Sequence, residues 1–179
     1  MLAFAAMYIY WQNWEFVIYV GVVIAVFLLL LWTNKTNQYA DETLALLSLW
    51  AMMHMCGGGV YLGGTRLYDI VLLPLVGDPF YILKYDQVVH TIGFGAATLL
   101  MHDLIRPYLR NRLPGWISLV VVIVFAGMGA GAFNEVVEFA AVVLFPSTGV
   151  GGYYNTALDL VCNMIGATVA GLYAVLRRK

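Results

Sequence analysis

Asp86 and His90 stand four residues apart, and Glu135 and Glu138 three apart, inside segments of otherwise apolar character. Residues at i, i+3 and i, i+4 share one face of a helix, so each pair presents its polar groups to one side. Asn155, Asp159 and Asn163 form a third stripe at i, i+4, i+8, and His54 adds an imidazole from a fourth segment. An ionisable group in hydrocarbon is costly and marks a functional site whose partner must be named. Carboxylates and imidazoles converging from several helices are the donor set of a metal site within a bundle. Oxygen with imidazole suits Zn, Mn or Fe better than copper. The Glu-x-x-His of di-iron bundles is here Glu-x-x-Glu, so the identity of the metal stays open. The candidate ligands are His54, Asp86, His90, Glu135, Glu138 and Asp159. Glu138, Glu135 and Asp159 are also the candidate acid–base groups, with Glu138 as base toward a metal-bound water if the chemistry is hydrolytic. Asn163 and Asn134 would orient these groups from outside the ligand set.

Two other readings use the same residue types. Buried acids and imidazoles can pair with one another, with asparagines or with backbone, and lock helices together. They can also line a proton or ion pathway. A through-path needs polar groups at both depths, and the inner halves of the segments read as nearly featureless. His102 and Asp103 fall at the end of an apolar run, where snorkelling to the interface accounts for them. Glu15 begins another run and is expected to be solvated. Cys56 and Cys162 lack a C-x-x-C pair and read as small buried side chains. Gly127 and Gly131 make a small-xxx-small face, suited to close helix packing or to a homo-oligomer. Gly57–Gly59 ends a segment or admits a neighbouring helix. No nucleophile elbow, His-Glu-x-x-His, phosphate-binding or dinucleotide motif is present.

The elements that must carry these residues are membrane spans. Of 179 residues, 63% are hydrophobic and 11% charged, more apolar surface than a water-soluble domain can bury. The expected fold is all-α: a polytopic transmembrane bundle of about five spans in one integral membrane domain, each near 20 residues. The spans fall at about 16–33, 43–61, 85–105, 116–145 and 154–176. Residues 1–14 are an aromatic-rich interfacial lead-in with no positive region typical of a signal peptide. Residues 62–84, with Arg66, Asp69, Pro74, Asp78, Pro79 and Lys84, read as interfacial or re-entrant. The 116–145 run exceeds one span, so it tilts, bends near Gly127–Gly131 or protrudes. Basic residues set the orientation. Lys35, Arg106, Arg110, Arg112, Arg177, Arg178 and Lys179 share one side, read as cytoplasmic, which leaves the N-terminus outside. All six candidate ligands then lie in the outer half of the bilayer. A net charge of −1 with no basic tract argues against nucleic acid; membrane lipids are the expected surroundings.

Four stretches carry a resemblance: His54-Met-Cys-Gly-Gly-Gly-Val-Tyr61, Tyr85-Asp86-Gln-Val-Val-His90, Asn134-Glu135-Val-Val-Glu138 and Asp159-Leu-Val-Cys-Asn163-Met-Ile-Gly166-Ala167. In order and spacing they resemble the YjdF-like bacterial inner-membrane proteins of unknown function, over roughly residues 45–175. The last two-thirds also look like the VanZ-like proteins, which share Asp-x-x-x-His, a helix Glu and an Asp-x-x-x-Asn-x-x-Gly helix. That group is linked with glycopeptide resistance, which implies chemistry at the outer face near envelope lipids or precursors. The acids that YjdF-like chains carry before the last helix are missing from Gly149-Val-Gly-Gly-Tyr-Tyr-Asn155.

Overall fold

A short helix, α1 (Leu2–Tyr10), precedes the first long one. Asn13 then accepts a hydrogen bond from the Phe16 amide at 3.2 Å, the N-cap arrangement that satisfies an orphan donor at a helix start. The apolar run behind it continues as α2 (Trp14–Asn37) and stops at Gln38, which turns left-handed with φ 48°. α3 (Asp41–Gly59), α4 (Tyr85–Ile105), α5 (Trp116–Leu144) and α6 (Tyr153–Leu176) complete the bundle. The computed structural model describes residues 1–109 and 115–177. Arg110, Arg112, Arg178 and Lys179, four of the residues used to orient the chain, lie outside them.

The bundle is all-helical, as expected. Four helices, α2, α5, α6 and α4 with its 3-10 extension to Tyr108, are long and apolar enough to cross a membrane. α3 is 19 residues long, but Asp41, Glu42, His54 and three glycines dilute its apolar character. The chain is a multi-pass membrane protein. α5 runs unbroken through Gly127–Gly131 for 29 residues, about 43 Å and longer than the roughly 30 Å of hydrocarbon in a bilayer.

Residues 61–84 hold no long helix. Tyr61–Leu62 and Thr65–Arg66 pair as β1 and β2, and Val71–Val76 and Ile82–Lys84 as β3 and β4, both antiparallel. Gly63 and Gly64 join the first pair with φ of 60° and 84°, the two successive positive φ values a tight two-residue hairpin requires.

Helix ends alternate, and each end of the bundle is tied by polar contacts. At one end the Gly149 amide donates to Glu15 Oε2 at 2.6 Å, and Arg66 donates to the Gly149 carbonyl at 2.9 Å. Tyr8 is fully buried beside them and its hydroxyl donates to the Met55 carbonyl. At the other end Asp103 Oδ2 accepts from the Ala40 amide at 3.0 Å and from Thr43 at 2.8 Å, and Arg106 donates to the Gln38 carbonyl at 2.8 Å. Two expectations are overturned here. Glu15 is buried rather than solvated, because the α5–α6 connection folds onto it and supplies a donor. His102 and Asp103 are each 1% exposed, so they do not snorkel; Asp103 caps the start of α3 from across the bundle.

α4 and α6 approach closely. A Cβ on Gly166 would collide with the Thr91 carbonyl, and one on Gly95 would lie 3.3 Å from the Gly166 carbonyl. Gly127 faces Thr98 and Gly131 faces Asn163, so that pair of glycines serves packing inside the bundle. Gly57, Gly58 and Gly59 accommodate Tyr68, Phe16 and α1 in the same way.

Candidate functional site

The α4–α6 crossing sets the site. It brings the first turns of α4, with Asp86 and His90, against the first turns of α6, with Asn155, Asp159 and Asn163. α5 runs alongside and adds Asn134, Glu135 and Glu138. One ligand atom each from Asp86, His90 and Asp159 lies within 4.8 Å of the other two, and the same holds for His90, Glu135 and Glu138. His90 belongs to both groups, so the five side chains form one cluster about a single imidazole.

Hydrogen bonds fix the imidazole. His90 Nδ1 stands 3.0 Å from Asn163 Oδ1. An amide oxygen only accepts, so Nδ1 donates to it, which leaves Nε2 as the nitrogen on the Asp86 side. Nε2 lies 3.6 Å from Asp86 Oδ1, and Glu135 Oε1 lies 3.9 Å from Nδ1. Asn155 Nδ2 bridges two carboxylates, donating to Asp86 Oδ2 at 3.2 Å and to Asp159 Oδ2. Asn134 donates to Glu138 Oε1 at 2.8 Å.

These asparagines leave the cluster short of donors. Asp159 Oδ1 and Glu135 Oε1 are buried without a hydrogen-bond partner. Among the described residues no Lys or Arg pairs with Asp86, Glu135, Glu138 or Asp159; His90 lies within 4 Å of Asp86 and Glu135 alone. Asp159 is buried and Asp86, Glu135 and Glu138 are partly buried, so four carboxylates gathered around one imidazole favour positive charge from protons or from a cation.

His54 stands apart from both groups. Its Nδ1 meets the Tyr68 hydroxyl, and the rings of Phe16, Tyr19, Trp50 and Tyr68 surround it with centroids 5.5–5.9 Å away. Tyr68 comes from the 61–84 segment. Burial, helped by the nearby charges of Asp86 and Glu138, pushes its phenol well above the ordinary range, so the hydroxyl is the donor to His54. The segment therefore reaches into the bundle beside the cluster. The sequence offered one signal for Tyr68, an aromatic with a polar tip between Arg66 and Asp69. Asn155 was visible as part of the α6 stripe, but its bridging of two carboxylates follows only from the helix crossing. At the far end of α4, both ring nitrogens of His102 and Oδ1 of Asp103 are buried without hydrogen-bond partners, 3.6 Å apart at Nδ1 and Oδ1.

A family described as "Predicted membrane protein (DUF2238)" matches residues 1–179, and the chain belongs to it. No curated protein and no solved structure matches.

Proposed function

We propose that this member of the DUF2238 family holds a divalent metal in the cluster and acts, as a metal-dependent enzyme or metal-binding protein, on a lipid-linked or membrane-soluble substrate. The observation that carries this reading is the unmatched acceptor excess: four carboxylates gathered about one imidazole, with no Lys or Arg paired to them among the described residues. Asp86, His90 and Asp159 form one candidate ligand set and His90, Glu135 and Glu138 the other. Asn163 holds His90 through Nδ1, the outer hydrogen bond that metal-ligating histidines usually make. All-oxygen ligands with one nitrogen favour Zn, Mn or Fe. Glu138, steadied through Oε1 by Asn134, would serve as base toward water in a hydrolytic reaction. The YjdF-like resemblance accords with the family, and the VanZ-like likeness favours a substrate among the lipids or precursors of the outer face of the inner membrane.

The test is elemental analysis of chelator-free protein in mild detergent, beside His90→Ala and Glu138→Gln. Near-stoichiometric Zn, Mn or Fe in the wild type, absent from His90→Ala, supports the reading. No metal in folded wild-type protein, even after incubation with each of the three, overturns it.

A second reading, proton or cation passage, is favoured by the buried His102–Asp103 pair at the opposite end of α4. It supplies polar groups at the end of α4 that the apolar sequence left featureless. His90 and His102 are 12 positions apart, about 18 Å along the helix, with Thr98 a buried polar residue between them. Cation-dependent proton flux into liposomes, lost in His102→Ala, would favour passage over catalysis.

A further inference from the structure

α2 docks unevenly. Its buried residues, Glu15, Phe16, Tyr19, Val20 and Val23, all lie in its first ten positions, and none follows them. Ile24 still packs against the core, but beyond Val23 no residue of the helix is buried. Between it and the α4–α5 pair lies a groove of about 420 Å3, walled by Val22, Leu29, Phe94, Ala97, Ala130 and Phe133 among others. Along α2 it extends from Tyr19 to Thr33, about 21 Å. That is more than the roughly 15 Å of hydrocarbon in one leaflet. The walls are almost wholly apolar, yet His54, beside Tyr19, and Asn134 also line it, and Asn134 is the donor to Glu138 of the cluster. A narrow apolar slot at bilayer depth, with polar lining beside a carboxylate site, has the shape of an extended amphiphile.

We propose that this groove binds the hydrocarbon chain of a long-chain lipid and sets the lipid's polar head against the carboxylate cluster. The inference rests on the metal reading for what the head meets, and it names the substrate class of that site. Three observations carry it. Asn134 both lines the groove and donates to Glu138 of the cluster. Its length exceeds one leaflet, which suits a single long chain better than a short-tailed ligand. Its depth, between helices that cross the membrane, admits only a lipid-soluble occupant. Aqueous metabolites are thereby disfavoured as substrates.

The probe is hexadecyl phosphate carrying a diazirine midway along the chain, with the protein in phosphatidylcholine–phosphatidylglycerol nanodiscs and cross-links mapped by mass spectrometry. The variants are Ala130→Trp and Val22→Trp, which fill the groove from opposite walls. Val122→Trp is the control, on a part of α5 that is 54% exposed and outside the groove. The expected result is saturable labelling of groove residues, reduced at least fivefold in both groove variants and unchanged in the control. Labelling spread evenly over the exposed faces, or unaffected by the groove variants, would overturn the proposal. So would a cross-linked dimer whose second copy fills the groove. Metal content is read on the same samples. Metal-free wild type with saturable groove labelling sinks the metal reading and keeps the lipid site; metal-loaded protein without groove labelling does the reverse.

Discussion

Asn163 and His90 show how one hydrogen bond decides the chemistry available at this site. With Nδ1 committed to Asn163 Oδ1 at 3.0 Å, the ring can give only Nε2 to a ligand. Asn163 itself is fully buried against Gly131, so its amide has little freedom to turn. Asn163→Ala removes the acceptor and frees the ring to rotate. Metal affinity should fall by about 10–100-fold, the usual cost of losing such an outer partner, while the protein still assembles. Competitive titration with a metal indicator measures it; an unchanged affinity would mean that Asn163 orients nothing. Tyr68→Phe probes the other imidazole. It removes the hydroxyl from His54 but leaves the ring packing, so metal content should hold while stability drops by about 1 kcal/mol, read from thermal unfolding in detergent. Loss of metal instead would draw His54 into the ligand set. At this scale the sequence was most legible where spacing alone sufficed: Asp86 with His90, Glu135 with Glu138, and the α6 stripe. It misled at Glu15, His102 and Asp103. Gly149, the partner of Glu15, and Ala40 and Thr43, the partners of Asp103, lie on segments far along the chain or across the bundle, and position within a span says nothing of what folds over its end.

Helix packing determines whether those side chains meet at all. Asp86 and His90 reach Asp159 and Asn163 because α4 and α6 touch backbone to backbone at Gly95 and Gly166. A methyl at Gly166 would meet the Thr91 carbonyl, which cannot move aside as a flexible side chain can. Gly166→Ala should therefore separate the helices and cost about 1–3 kcal/mol, the usual penalty for overpacking. The readouts are a lower unfolding temperature in detergent and weakened metal binding in the protein that remains folded. The same substitution at Gly21, where nothing lies within 4 Å of a Cβ, should leave both unchanged. Full metal binding in Gly166→Ala would mean that the α4–α6 contact does not set the site. The long helices were legible because apolar runs of span length have few other ways to satisfy their backbone in a membrane. The β-ribbons of 61–84 were not. Their strands are two to six residues long, too short for alternation to show, and the Gly63-Gly64 turn was the one strong local signal.

Across the whole molecule, alternation of helix ends fixes which loops share a side. The start of α2, the 61–84 segment and the α5–α6 connection converge through Glu15, Arg66 and Gly149. The α2–α3 turn and the ends of α4 and α6 converge through Asp103, Arg106 and Glu42, the last receiving the Tyr173 hydroxyl at 3.1 Å and pairing with Arg177. Lys35, Arg106 and Arg177 belong to this second end, against Arg66 and Lys84 at the first, so the positive-inside tendency predicts that the second end is cytoplasmic and that the carboxylate cluster faces outward. Single-cysteine reporters test this in a Cys56→Ala, Cys162→Ala background. A cysteine at exposed Ser147, on the α5–α6 connection, should react with an impermeant maleimide in intact cells. One at exposed Thr36, near the α2–α3 turn, should react only after permeabilisation. The reverse pattern would turn the molecule over and place the cluster toward the cytoplasm. The orientation has a chemical consequence as well. If the cluster opens outward and holds metal, an impermeant chelator added to intact cells should strip it, whereas an inward-facing site would keep its metal until the membrane is breached. Agreement between cysteine reactivity and chelator access would fix both the side of the membrane and the leaflet from which a lipid substrate is drawn.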